Sequence, residues 1–182
     1  MKYAVISTSL HPQSKGRELS KFIFEYGKSL EMDIVYVDMQ EYKEFPHCDA
    51  GASMAHPNVL ELQEKLENID GIILTVPIYN YTCSGLVKSM IEGLGARVWK
   101  HKVISLCAVV GSKLSFLSPV SFTHSFTVDF QSIVVPKFLL VSGEDRDENR
   151  FKEDVYTRAK SLVQTTKLFT ESNQVYIALR HV

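Results

Sequence analysis

Gly71-Ile-Ile-Leu-Thr-Val76, Pro77-Ile-Tyr-Asn-Tyr-Thr-Cys-Ser84 and Gly85-Leu-Val-Lys-Ser-Met-Ile-Glu-Gly-Leu94 form one continuous stretch, and its reading decides the fold. The first part is an unbroken apolar run rich in β-branched residues. That pattern belongs to a strand buried on both faces of a parallel sheet. Pro77 carries no amide hydrogen, so ladder pairing is expected to stop there. Leu86, Met90, Ile91 and Leu94 then recur at helical spacing. A polar and aromatic loop with Pro77, Tyr79, Asn80 and Tyr81 separates strand from helix. Ligands of open α/β sheets bind outside the carboxyl ends of strands, which places the first site candidates in this loop.

The same alternation extends in both directions. Upstream, Tyr3 to Ile6 predicts a strand, and residues 7–16 (Ser-Thr-Ser-Leu-His-Pro-Gln-Ser-Lys-Gly) a loop. Leu19, Phe22, Ile23, Tyr26 and Leu30 mark an amphipathic helix with Ser14 as its N-cap. Asp33 to Asp38 is a second strand. Residues 39–57 read as a long irregular connection, and Val59, Leu62, Leu66 and Ile69 as a second helix. Downstream, Lys102 to Val110 is a fourth strand ending at Gly111-Ser112. Leu117, Val120, Phe122, Phe126 and Phe130 suggest a helix, and Val134 to Val141 a fifth strand, with Pro136 implying an edge position or a late start. Phe151, Val155, Ala159, Leu162 and Val163 mark a C-terminal helix. The tail, residues 171–182, reads as an extra strand or an interface arm.

Right-handed crossovers turn this order into a three-layer, doubly wound parallel α/β sheet of five strands. The expected order is 2-1-3-4-5, the flavodoxin-like arrangement, within a single domain spanning residues 1–182. Its switch point brings the loops at residues 7–16 and 77–84 to one crevice. The near-neutral net charge of −1 and scattered basic residues exclude a nucleic-acid-binding surface, and the apolar fraction of 45% excludes disorder. Three widely spaced cysteines argue against a disulfide framework, a zinc site or an iron–sulfur cluster. No segment is long and apolar enough to span a bilayer, and the expected setting is the cytoplasm.

The first loop offers the hydroxyls of Ser7, Thr8, Ser9 and Ser14, with His11, Lys15 or Arg17 to supply charge, just ahead of a helix N-terminus, which attracts anions. Read alone it is better taken as an ordinary cap and a solvated turn. The second loop offers flat rings and backbone amides, and read alone its tyrosines could pack on the protein itself. The two loops together favour a mononucleotide with a flat head group. Neither GxGxxG nor GxxxxGK[ST] occurs, which removes a dinucleotide fingerprint and a P-loop. His47, Cys48, Asp49 and His56 lack recognised metal spacing, and Cys83 reads as a small packed residue.

Thr8-Ser9-Leu10-His11-Pro12-Gln13-Ser14 and Pro77-Ile78-Tyr79-Asn80, followed by Ser84-Gly85-Leu86-Val87-Lys88, resemble the NADPH-dependent FMN reductase family. That family commonly has Gly-Ser-x-Arg-x-x-Ser in the first loop and Pro-x-Tyr-Asn in the second. The resemblance covers roughly residues 2–165. It implies that Ser9, His11 and Ser14, with amides near Lys15 and Gly16, hold the FMN phosphate. It also implies that Pro77, Ile78, Tyr79 and Asn80 hold the isoalloxazine ring, next to the ring and amide that Tyr81 offers from the same loop, and that Gly111 and Ser112 close its far edge. Thr8 stands where the family has glycine, and His11 where it has arginine. The implied activity is electron transfer from NADPH (or NADH) through FMN to a small acceptor such as a quinone, an azo compound or free flavin. No side chain is required as an acid or base, and a homodimer or homotetramer is implied. Two other classes stay open: an FMN-binding electron carrier without NADPH turnover, and a nucleotide-binding module without flavin.

Overall fold

The computed structural model describes residues 1–49, 51–147 and 150–180. The strands are β1 (Lys2–Ser7), β2 (Asp33–Asp38), β3 (Gly71–Tyr79), β4 (Thr82–Cys83), β5 (Val103–Val109), β6 (Ile133–Val134) and β7 (Leu139–Val141). The helices are α1 (Lys15–Ser29), α2 (Pro57–Leu66), α3 (Gly85–Trp99), α4 (Val120–His124) and α5 (Glu153–Arg180). Parallel pairing runs β2-β1-β3-β5, with β6 and β7 both on the outer side of β5. The expected order is therefore observed, but with seven strands instead of five.

Each extra strand has a local cause. The fifth strand is split around Pro136: β6 pairs with Val103 and Ile104, and β7 with Cys107 to Val109. A proline cannot donate to the ladder, so the edge breaks there. Pro77, by contrast, does not end its strand. It stays in register with Val109, while β1 has already finished at the Ser7–Thr75 pair. Pro77 thus has a strand neighbour on one side only. Beyond it, Ile78 and Tyr79 turn back through Asn80 and Tyr81 to pair with Cys83 and Thr82, forming β4.

Alternation along the strands sends side chains to two cores. Ala4, Ile6, Ile72, Leu74 and Leu106 pack with α2 and α3, while Tyr3, Val5, Ile73 and Cys107 pack with α1 and α5. The predicted helix over 117–130 is shorter than expected: α4 is followed by a π-helical turn over Ser125–Asp129. The tail is not a strand as far as Arg180, because α5 continues through it; residues 181 and 182 lie outside the described residues. Its second half docks by polar contacts. Thr166 shares a 2.7 Å hydrogen bond with Ser105, and Asn173 donates to the His101 carbonyl at 2.9 Å. A Cβ on Gly71 would meet the Thr170 hydroxyl at 2.5 Å, so a glycine lets this helix reach the sheet. Among the described residues, no helix is long and apolar enough to cross a membrane.

Candidate flavin site

The carboxyl end of β1 feeds directly into α1 through residues 8–14. Thr8 is buried, and both its amide and its hydroxyl donate to the Thr75 carbonyl, at 3.1 and 2.8 Å. The loop needs no left-handed residue at this position, since Thr8 is absent from the positive-φ residues. The threonine found in place of glycine therefore staples β1 to β3. The Ser9 hydroxyl accepts from the His11 amide at 3.3 Å, and the Ser14 hydroxyl accepts from the Arg17 amide at 3.2 Å. The N-cap role read for Ser14 is thus observed. Amides of the first helical turn have no intrahelical acceptor and remain available for an anion.

His11 accepts the Gln13 amide at Nδ1, at 3.1 Å. In that arrangement Nδ1 is unprotonated, so any donation from the ring comes from Nε2. Arg17 is buried. Its Nε lies 2.5 Å from Asp38 Oδ2, and its terminal nitrogens donate to the carbonyls of Ser9, His11 and Pro12 at 2.7, 2.8 and 3.0 Å.

A cleft of about 340 Å³ opens between this loop and the ends of β3 and β5. Of the residues singled out from the sequence, Ser9, His11, Ser14, Lys15, Gly16, Pro77, Ile78, Tyr79 and Gly111 line it. Asn80, Tyr81 and Ser112 do not. Asn80 and Tyr81 form the two-residue turn of the β3–β4 hairpin, with φ of 49° and 64°. Two left-handed residues are what a tight hairpin requires, but a tyrosine is strained there. Ser112 caps the short turn that follows, accepting from the Leu114 amide at 3.3 Å.

The cleft has unlike ends. A Cβ on Gly16 would come within 3.3 Å of Thr75 and 3.4 Å of Val109, so α1 begins hard against the sheet. A Cβ on Gly111 would meet nothing within 4 Å, which leaves open space at the opposite wall. Tyr79 is 56% exposed at the mouth and Tyr81 64%. Cys83, in the second strand of the hairpin, packs on the core, and burial pushes its thiol up.

Ser7, read with the hydroxyls of the first loop, also lines the cleft, and sequence reasoning missed Gln13, Thr75, Val109 and Val110. The Ser7 and Thr75 hydroxyls are buried without a hydrogen-bond partner among the described residues. Tyr36 and Cys107 stand near them but outside hydrogen-bond geometry. The two hydroxyls belong to paired residues of adjacent strands, and that register is not visible in a sequence. Among the described residues no group of three or more His, Cys, Asp or Glu side chains could hold a metal. His47 bonds Ser89, and His56 caps α2.

Comparison with known proteins fits this geometry. Residues 1–147 match the family model described as NADPH-dependent FMN reductase. The chain belongs to that family. It is 22% identical over 170 residues to the NADPH azoreductase of Bacillus sp. (strain OY1-2), across 93% of this chain and 92% of that one. It is 24% identical over 153 residues to the FMN-dependent NADPH-azoreductase of Staphylococcus aureus (strain USA300), across 82% and 81%. The flavoenzyme NAD(P)H:(acceptor) oxidoreductase FerB from Paracoccus denitrificans shares the fold. Its TM-score is 0.76 at 17% identity, over 94% of this chain and 98% of that one. Membership makes FMN the cofactor and NADPH the electron donor of this oxidoreductase. The cleft suits FMN: an anion-binding helix start with buried unpaired hydroxyls lies at one end, and an aromatic, glycine-open wall at the other.

Proposed function

We propose that the cleft between the β1–α1 loop and the β3–β4 hairpin holds FMN for the reduction of a small acceptor, a quinone, an azo compound or free flavin. One observation carries this reading: a capped helix start and the Pro77–Tyr79 edge converge on a single cleft at the β1/β3 switch point. When bound, FMN supplies the chemistry, taking hydride equivalents from NADPH and handing electrons to the second substrate. The chain's own tasks are binding and orientation. Ser9, Ser14 and the amides of Lys15 and Gly16 would grip the phosphate, with His11 Nε2 as a further donor. Pro77, Ile78 and Tyr79 would flank the ring, and the space at Gly111 would receive its far edge. No proton relay through a side chain is required.

The segment after β5 supports a homo-oligomer. Leu114, Phe116, Leu117 and Val120 are exposed beside the cleft, with Tyr79 and Tyr81 facing solvent nearby. Such a patch is suited to cover by a second copy. A cytoplasmic setting fits the free cysteines Cys48, Cys83 and Cys107. The test is a titration of purified protein with FMN, followed by steady-state NADPH oxidation with a quinone acceptor. Saturable 1:1 quenching of flavin fluorescence and acceptor-dependent turnover are expected. Binding without turnover would reduce the protein to an electron carrier, and no binding would remove the reading.

A further inference from the structure

Arg17 is the most heavily engaged side chain near the cleft, and its hydrogen bonds are all to the protein itself. Its side chain and that of Asp38 are 9% and 10% exposed. Nε is held by Asp38 Oδ2, whose other oxygen accepts the Gln40 amide at 3.0 Å. One terminal nitrogen donates to the His11 and Pro12 carbonyls, and the other to the Ser9 carbonyl. Four of the five guanidinium hydrogens are thereby used. The charge is paired with a buried carboxylate, and Arg17 is not among the residues that line the cleft.

The bonds it makes are nonetheless informative. Ser9 and His11 line the cleft, and all three carbonyls belong to the loop expected to cup the phosphate. A carbonyl facing an anion repels it. A carbonyl held by a guanidinium is kept from doing so. We infer that Arg17 is a positioning residue that selects a phosphorylated flavin, by drawing the Ser9, His11 and Pro12 carbonyls out of the anion's field and fixing the loop to Asp38 at the end of β2. This rests on the reading of the cleft as an FMN site. A lysine cannot replace the arginine, because one ammonium cannot span a carboxylate and three separate carbonyls with fixed geometry.

The experiment compares FMN with riboflavin, which has the same ring and lacks the phosphate. Affinities of both are measured by fluorescence quenching for wild type and for Arg17→Lys, with thermal melting as a check on folding. Wild type is expected to prefer FMN strongly. In Arg17→Lys, FMN affinity should fall roughly tenfold to a hundredfold, the scale of lost hydrogen bonds to a charged group. Riboflavin affinity should stay within about twofold, since the ring end is untouched. Equal losses for both flavins would show a merely structural role and overturn the inference while leaving the cleft assignment intact. A wild type with no preference for FMN would overturn both. Asp38→Asn keeps the protein testable should the lysine variant not fold. Its amide oxygen can still accept from Nε, so the carbonyl clamp persists and the FMN preference should hold or rise. A collapse of that preference in Asp38→Asn would show that the ion pair, not the clamp, sets it.

Discussion

The two banks of the cleft are built by opposite rules. The loop proposed to hold the phosphate is tied down along its length: Thr8 to β3, Ser9 to His11, His11 to Gln13, Ser14 to Arg17, and three carbonyls to a buried guanidinium. The ring-side bank is a hairpin with a strained tyrosine at its tip and a following segment of exposed apolar side chains. An anion is recognised by directional donors, which bind well only if already in place. A flat ring is recognised by shape and surface, and its open face must stay reachable by two successive substrates. On the proposed assignment, the densest hydrogen bonding lies where a charge has to be met, and the exposed aromatic and apolar surface where partners exchange.

The strongest way to break this contrast is at the tight bank. Gly16→Val puts branched carbons where even a Cβ lies 3.3 Å from Thr75, so α1 must shift from the sheet. FMN affinity should fall by about a hundredfold or more, with overpacking costing about 1–3 kcal/mol of stability. Unchanged affinity by fluorescence titration would mean that the helix start is not the phosphate site. Ser14→Ala comes next. Loss of the cap bond to the Arg17 amide should lower stability by about 1 kcal/mol. FMN affinity should fall by about tenfold, as for a lost hydrogen bond to a charged group. Denaturant melts and flavin titration separate the two effects.

The loose bank should respond differently. Tyr81→Gly relieves a side chain held at φ 64° and should raise stability by about 0.5–1 kcal/mol, the left-handed penalty less the added freedom of the unfolded glycine. A fall in the melting midpoint would show that the exposed tyrosine has packing duties. The smallest effect concerns pH. Lys113, in the ring-side segment, is tied to Asp145 at 3.3 Å. Burial tends to raise the Asp145 carboxyl, but hydrogen bonds from Ser142 and the Lys113 charge outweigh it and hold the group below the ordinary 3.8. A depressed acid stabilises the fold above its unfolded pKa and loses that contribution as pH falls through its folded one. Asp145→Asn should therefore flatten the stability profile below pH 3.8 and leave its neutral limb parallel to wild type. Identical acid limbs would remove this tether.

Much of this arrangement was legible beforehand, for reasons that differ by residue. The strand order followed from buried apolar runs alternating with amphipathic helices, and β2 was bounded correctly at Asp33 and Asp38. The cleft loops followed from the switch point. The hairpin after Pro77 was not foreseen, because its Asn-Tyr turn lacks the glycine that usually announces one. The far half of α5 was missed because Thr166, Thr170 and Asn173 replace the apolar stripe with hydroxyl and amide contacts. Arg17 was read as a possible source of charge for the ligand. Its actual partners depend on where β2 ends in space, and sequence spacing carries no trace of that.

The long helix α5 also behaves as a strut with a load at each end. Its foot rests on Gly71 through Thr170. Nearer its start, Arg158 donates to the Leu140 carbonyl at 2.9 Å and lies 3.7 Å from Asp145, itself joined to Lys113. A side chain added at Gly71 would lift the foot, and a rigid rod passes that tilt to its other end. The bare backbone at the amino end of the central strand β3 thus sets where α5 rests, and with it where Arg158 meets Leu140 and Asp145.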